Sequence, residues 1–523
     1  MVLKYEKAVE KWGVFEVSVP GKSEGNPFVD YAIEGEFTGA KEQRKVAGFY
    51  DGDGIYKVRF MPVEEGAYTF QIKGSFSEQV FEGEFAAGPP TEENHGPVQV
   101  TGRYHFSYCD GSPYYSIGTT CYAWVNQEEE MQEMTLRTLK DSTFNKIRFC
   151  IFPKHYDFNF ADPVTFPYLG TPVDSSGITK ENFRDLIPFV NGGKFEGNDW
   201  DFKRFNTDHF RRFEKRIDEL CRMGIEADII LFHPYDRWGF SAMGAENDAL
   251  YLKYVIARFG AYRNVWWSLA NEYDLIGNKT IADWENIAAV IAAADPYGHL
   301  RSIHNCRDFY DYSKPWITHC SMQRQDLYKE VELTDKYQEQ YGKPVVWDEI
   351  AYEGNIQYGW GNITGEEMIR RFWEATVRGG YAGHGETLIP TPDYTGAEKL
   401  WWSHGGRLFG DSPARLQFLG RILKEIPDGG RLKAIPFDWD VNVAVLDDPE
   451  QENMKIKDFY LFYFSFMRPS FRSFHLDEET KFQVDVIDTW NMVVTPMGVF
   501  KGKFNIPMGM KQYMAVRLRK IKI

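Results

Sequence analysis

Between about residue 97 and residue 427 the chain repeats one unit: a short apolar run, then a longer stretch that is polar or amphipathic. The runs are "YYSIGTT", "NKIRFCIF", "IEADIILF", "NVWWSL", "LRSIH", "WITHC", "PVVWDE" and "GGYAGHGE". The stretches between them carry helical spacing. In "TDHFRRFEKRIDELCRMG", Phe210, Phe213, Ile217 and Leu220 share one face, and Gly224 suits the C-terminal cap. Another helix opens at Thr364 with Glu367 three residues on, a capping box, and closes at Gly379 and Gly380. Strands separated by helices pair in parallel, and this number of them predicts an α/β fold of the (β/α)8 barrel type.

The flanks follow another rule. In "IYKVRF" and "AYTFQIKG" apolar and polar residues alternate, broken by "YDGDG" and "VEEG" turns, which predicts an Ig-like antiparallel β-sandwich over residues 1–92. "AAGPPTEENHGPV" reads as a linker into a barrel assigned to residues 93–427. Alternation without helices resumes in "VNVAVL", "KFQVDVID" and "YMAVRLRKIKI", so residues 428–523 are expected to form an antiparallel β domain. A chain of 523 residues is too long for one core, in keeping with such a division.

Net charge narrows the partners. At −16 the chain has no basic excess with which to release counterions from phosphates, which argues against nucleic acid and anionic membrane surfaces. No segment approaches the roughly 20 apolar residues of a membrane span. The six cysteines form no CxxC pairs and several lie in apolar runs, as expected of reduced thiols in the cytoplasm. An aromatic content of 16% supplies large cores and also flat platforms on which sugar rings stack.

The body of a barrel is expected to hold apolar layers, with reactive groups at the C-terminal strand ends. The fourth strand, in "NVWWSLANEYD", runs straight into Asn271 and Glu272, and the seventh ends in Asp348 and Glu349. Neighbouring residues on a strand face opposite ways, so one of that last pair, taken as Glu349, faces the cleft. Strands four and seven oppose each other across the mouth. Two carboxylates flanking a cleft suit glycosidic bond cleavage: one, protonated, donates to the leaving oxygen, and the other attacks the sugar or activates water.

"LANE" on strand four and "VVWDE" on strand seven resemble the signature of glycoside hydrolase clan A, the retaining (β/α)8 enzymes. Together with "NPFVDY", "GFYDGDGIYKVRF", "FHPYDRWG", "GHGE" and the two β flanks, nearly the whole chain resembles the apiosidase-like glycoside hydrolases. The resemblance implies that Glu272 is the acid/base, Glu349 the nucleophile and Asn271 the ligand of the sugar 2-hydroxyl. It implies that Arg148, late in strand two, keeps the nucleophile ionised, and that His319 stands beside it. Position adds His233 after "IILF", with Asp236, Arg237 and Trp238 on its loop. The common strand-eight Trp is missing, so His384 and Glu386 are assigned to substrate binding, with Trp401 and Trp402 as replacement platforms.

The expected function is a retaining glycoside hydrolase that removes a terminal sugar from plant-derived oligosaccharides or glycosides, with no metal and no organic cofactor. A possible homo-oligomer would form through the β flanks. Two rivals stand beside it. A metal-dependent barrel hydrolase would use His233, His304, His319 and His384, although strand one reads "IGTTCYAW" and lacks the usual His-x-His pair. A non-catalytic carbohydrate-binding protein would leave both carboxylates without a purpose.

Overall fold

The computed structural model describes residues 3–157, 159–186, 196–323, 326, 330–389 and 401–521. Its centre is a parallel sheet of β1 (Ile117–Thr120), β2 (Lys146–Cys150), β3 (Glu226–Phe232), β4 (Val265–Ala270), β5 (Arg301–Ser302), β6 (Cys320–Gln323), β7 (Val345–Glu349) and β8 (Tyr381–His384). The hydrogen-bonded order is β5-β4-β3-β2-β1-β8-β7-β6, and a parallel bridge between His304 and Ser321 joins the two outer strands. The sheet therefore closes into the expected barrel.

Helices α1 (Glu129–Lys140), α2 (Thr207–Arg222), α3 (Ala245–Phe259) and α4 (Ile281–Ala294) follow β1 to β4. Helices α5 (Thr334–Tyr341), α6 (Gly365–Val377) and α7 (Ser412–Lys424) follow β6 to β8. Among the described residues the β5–β6 connection carries no α-helix. In α2 the apolar face is buried as patterned, and Asn206 caps the start by accepting from Asp208 N. Gly224 takes the left-handed φ of +69° that the chain needs to turn into β3. At α6 half of the capping box forms: Thr364 accepts from Glu367 N, while the Glu367 carboxylate is engaged by Arg370 and Arg371.

Outward-facing residues of the strands, such as Ile147, Ile229, Trp267 and Trp347, join the helices in one large core. Inside, the base is plugged by Phe106, from the hairpin Val98–Thr101/His105–Tyr108, against Tyr114, Trp266, Val346 and Tyr381. The layer above overturns the expectation of an apolar filling. Lys146 Nζ lies 3.0 Å from Asp228 and 2.5 Å from Asp348, all three buried. Such a layer persists because each charge meets an opposite one; removing one partner would leave the other buried alone.

At the N-terminal flank a five-stranded sheet (Ala8–Glu10, Val80–Gly88, Gly66–Gly74, Ile33–Thr38, Gln43–Ala47) faces a three-stranded one (Phe15–Pro20, Ile55–Phe60, Phe49–Tyr50). Phe15, Val17, Phe37, Phe60, Phe70 and Phe85 fill the space between. Buried Arg59 ties it to the barrel helices, donating to Arg258 O at 2.6 Å and pairing with Glu214 at 2.6 Å. At the C-terminal flank six antiparallel strands (Leu432–Asp438, Val441–Leu446, Phe459–Tyr463, Met514–Lys520, Phe482–Asp488, Val493–Phe500) lean one face on α6, where Tyr463 stacks on Trp373 at 5.5 Å. No helix of the described residues is long and apolar enough to cross a membrane.

Candidate active site

At the end of β4 the chain leaves the strand through Glu272 itself, whose φ of +49° lies in the left-handed region that non-glycine residues rarely enter. Neighbours hold it there: Asn271 N donates to Phe232 O at 2.9 Å, Tyr273 N to His304 O at 2.9 Å and Leu275 N to Glu272 O at 3.0 Å. Unusual backbone of this kind is retained where the surroundings over-determine it, commonly at functional sites. The carboxylate accepts from the Tyr235 hydroxyl and, at 3.2 Å, from Asn271 Nδ2. Burial pushes its pKa up and the Glu349 charge pushes it further; Tyr235, Lys154 and the Cys306 thiol pull the other way without cancelling the rise.

At the end of β7 a β-bulge changes what alternation would allow. Met322 pairs with Trp347 and Gln323 with Glu349, so Asp348 is the extra residue. Asp348 and Glu349 both face the barrel interior as a result, where strict alternation would have turned one away. Asp348 binds Lys146 and accepts from Ser321 Oγ at 2.5 Å. Glu349 accepts from the Tyr122 hydroxyl and lies 3.3 Å from His304 Nε2 and 3.9 Å from Arg148 Nη1. Ser321 Oγ also sits 3.1 Å from His304 Nδ1, so the ring is oriented from behind by the group that Asp348 holds. Burial alone would raise the Glu349 pKa, but His304, Arg148 and Tyr122 outweigh it and hold the carboxyl well below its usual range.

The two ends are joined. The Tyr122 hydroxyl that bonds Glu349 is 3.2 Å from Asn271 Oδ1 and 3.1 Å from the Tyr352 hydroxyl. Arg148 Nη2 reaches the same Asn271 oxygen at 3.5 Å. A continuous path, Glu349–Tyr122–Asn271–Glu272, thus spans the mouth. Aromatic rings stand above it: Tyr156 lies edge-on to Tyr235 at 4.6 Å, Trp360 edge-on to Tyr352 at 5.7 Å, and Trp401 is 6.3 Å from Tyr156. One carboxyl inclined to hold its proton and one inclined to lose it, under an aromatic wall, can serve as an acid and a nucleophile together.

The structure brings together Glu272, Glu349, Asn271 and Arg148, and it removes most of the other proposed ligands. His233 sits at the end of β3, but Nε2 faces Phe152 O at 3.2 Å and Nδ1 accepts from Tyr235 N at 3.2 Å, so the backbone uses both nitrogens. Burial and the Lys154 charge push its pKa down to about 3, and the neutral ring steadies the loop carrying Tyr235. His319 precedes β6, which starts at Cys320, four residues after the apolar run begins; the ring packs on Trp266 and Phe106 at the base, away from Glu349. Trp402 is fully buried and donates to Thr119 Oγ1 at 2.7 Å, and Trp238 is buried with its indole donating to Asp162 at 3.2 Å. Neither is a platform.

His384 stacks on Phe144 at 5.0 Å with Nδ1 3.2 Å from Thr119 Oγ1. Glu386 accepts from the backbone N–H groups of Phe409 and Gly410 at 2.6 and 3.0 Å. With Glu353 they form a group whose ligand atoms lie within 4.8 Å of one another. Glu353 is likewise met by Asp411 N and Ser412 N at the approach to α7. Backbone donors thus converge on both side chains, although burial still pushes the Glu386 pKa up to about 8, and the group anchors the loop before α7. Of the four histidines that suggested a metal hydrolase, only His304 stands at the carboxylate pair.

Sequence reading missed Tyr122, Tyr235, Tyr352, Lys154 and Cys306. The signal for two of them was in view: Tyr235 lies inside "FHPYDRWG" and Tyr122 inside "IGTTCYAW", each just past a strand end. A separate concavity of about 790 Å³, lined by Leu136, Thr143, Asn145, Gly224 and Lys424, lies at the opposite end of the barrel and holds none of these groups.

The family described as "Apiosidase-like, catalytic domain" matches residues 100–388. Two domains of unknown function match the flanks, at residues 8–75 and 439–519. No curated relative matches the chain. Among solved structures, a candidate glycoside hydrolase from Bacteroides vulgatus is 34% identical, with 99% of this chain and 100% of that chain covered and a TM-score of 0.87. A glycoside hydrolase at 14% identity covers 81% of this chain and 97% of its own at a TM-score of 0.57, a likeness of fold.

Proposed function

Because the chain belongs to the apiosidase-like family and is a glycoside hydrolase, we propose that it is a retaining enzyme of clan A type that removes a terminal sugar from plant-derived oligosaccharides or glycosides. The observation that carries this reading is the opposed electrostatics of two linked carboxyls, Glu272 driven toward its protonated form and Glu349 toward its ionised form. In the first step a Glu349 oxygen attacks the anomeric carbon while the bond to the leaving oxygen breaks, and Glu272 gives that oxygen its proton. In the second, water attacks the same carbon, Glu272 takes the water proton, and the glycosyl–Glu349 bond breaks. Loss of the Glu349 charge on esterification relieves the repulsion that held the proton on Glu272, so the acid of step one becomes the base of step two.

Asn271, held by Tyr122 and Arg148 on one side and Glu272 on the other, is suited to a hydroxyl beside the anomeric carbon. The six cysteines, none in a disulfide, suit a reducing, cytoplasmic setting for the reaction. The test is a panel of aryl glycosides given to wild type and to Glu349→Gly with azide. A glycosyl azide of inverted anomeric configuration, formed only by the variant, is the expected result and identifies the sugar. Wild-type turnover that inverts the anomeric centre would sink the double displacement.

A further inference from the structure

Lys154 lies four residues beyond β2 and is 4% exposed. The other buried lysine, Lys146, binds two carboxylates. Lys154 binds none: among the described residues its ammonium makes no ion pair and no hydrogen bond, and its polar contacts are with ring faces. Nζ stands 3.7 Å from the Tyr122 ring centroid and 4.2 Å from that of Tyr235, with Tyr156 at 5.5 Å and Trp401 at 5.9 Å. Tyr122 is the phenol on Glu349 and Tyr235 the phenol on Glu272. The cation is therefore bracketed by the two side chains that hold the two carboxyls, on the aromatic side of the mouth.

A buried ammonium without an acceptor is costly, and π faces return only part of what water would give. They also leave its N–H groups unused. Burial lowers the pKa, while the Cys150 thiol and the Glu272 and Glu349 carboxyls beside it oppose the fall. We propose that Lys154 is a substrate-contacting residue, its N–H groups kept for a hydroxyl oxygen of the sugar that lies between Glu272 and Glu349. This rests on the reading of the site as a glycosidase. A ring so placed would lie under the Tyr156 and Trp401 faces, with Asn271 and Lys154 donating to different hydroxyls, so the sugar is held by two donors before either carboxyl acts.

The test separates binding from turnover. In Glu349→Gln protein, the dissociation constant of the sugar identified by the glycoside panel is measured by titration calorimetry, with and without Lys154→Met. Should the panel identify none, monosaccharides are screened by saturation-transfer NMR. Lys154→Met is expected to weaken binding about 10- to 100-fold, the range for a hydrogen bond to a charged group, with an unchanged melting temperature. Lys154→Arg, which keeps charge and donors, is expected to bind more tightly than Lys154→Met, and Lys154→Gln replaces the Met variant if that one fails to fold. Equal binding with and without the ammonium would overturn the proposal, as would failure of every sugar to bind the intact site. Sugar binding that depends on Lys154, together with no glycosyl azide from Glu349→Gly, would instead sink the double-displacement reading and leave this one standing.

Discussion

Glu272, at the end of β4, is met by the Tyr235 hydroxyl, the Asn271 amide and the Cys306 thiol, with Glu349 as its charged neighbour of like sign. Glu349, at the end of β7, is met by the Arg148 guanidinium, the His304 ring and the Tyr122 hydroxyl. Burial acts on both in the same direction. What differs is how strongly the surroundings answer it: Lys154 and Tyr235 do not offset burial at Glu272, whereas His304, Arg148 and Tyr122 outweigh it at Glu349, and that difference is enough to send two identical side chains to opposite protonation states. The backbone differs as well: one carboxyl is delivered by a left-handed residue, the other by a bulge. Neither strand end is regular, because a regular end would point only alternate residues at the cleft.

Four experiments break or sharpen this contrast. The largest effect is expected from Glu349→Gln, which keeps shape and removes the nucleophile; kcat should fall at least ~10⁴-fold on the substrate the panel identifies. Retention of more than a hundredth of wild-type kcat would mean that the strand-seven end does not carry the covalent step. Glu272→Ala comes next, with a loss of about 10²- to 10⁴-fold that depends on the leaving group, severe for alkyl glycosides and mild for nitrophenyl ones. A uniform loss across leaving groups would deny Glu272 the role of acid.

The third experiment pairs Tyr122→Phe with Tyr235→Phe. Each tyrosine lowers the pKa of its own carboxyl, so each removal should raise one. The wild-type pH–rate profile needs Glu349 ionised and Glu272 protonated, placing its acid limb below and its alkaline limb above the ordinary carboxyl range. Tyr122→Phe should move the acid limb up, and Tyr235→Phe should move the alkaline limb up, each with a loss of roughly 10-fold in rate at the optimum. Both limbs moving in either variant would show that the two ends do not act separately. The smallest effect is expected from His319→Gln at the base: kcat/KM within about 2-fold and both limbs unmoved, with a lower melting temperature. A shifted acid limb would return His319 to the site.

The resemblances and the strand ends led directly to Asn271, Glu272, Glu349 and Arg148, because each sits at or beside the end of an apolar run and such ends face the cleft in any barrel of this kind. His319 was misplaced for a related reason. The run "WITHC" looks like a strand, but pairing begins at Cys320, and a shift of a few residues moves a side chain from the mouth to the base. Trp238, Trp402 and His233 carry no mark in the sequence that separates a wall residue from a core one; burial and the partners of their nitrogens do that. Lys146 and Asp228 look out of place in apolar strands, and the pairing that accommodates them spans strands far apart in the chain.

Local pattern determined the barrel, its β-rich flanks and the two strands that end in carboxyls, because periodicity and strand ends are written within a few residues of each other. The tertiary structure decided the rest: that a bulge turns Asp348 and Glu349 inward together, that Tyr122 and Tyr235 each take one carboxyl, and that Lys154 makes no ion pair among the described residues. Those depend on which distant residues come within a few ångströms, and a pKa depends on that environment rather than on the residue that carries the proton.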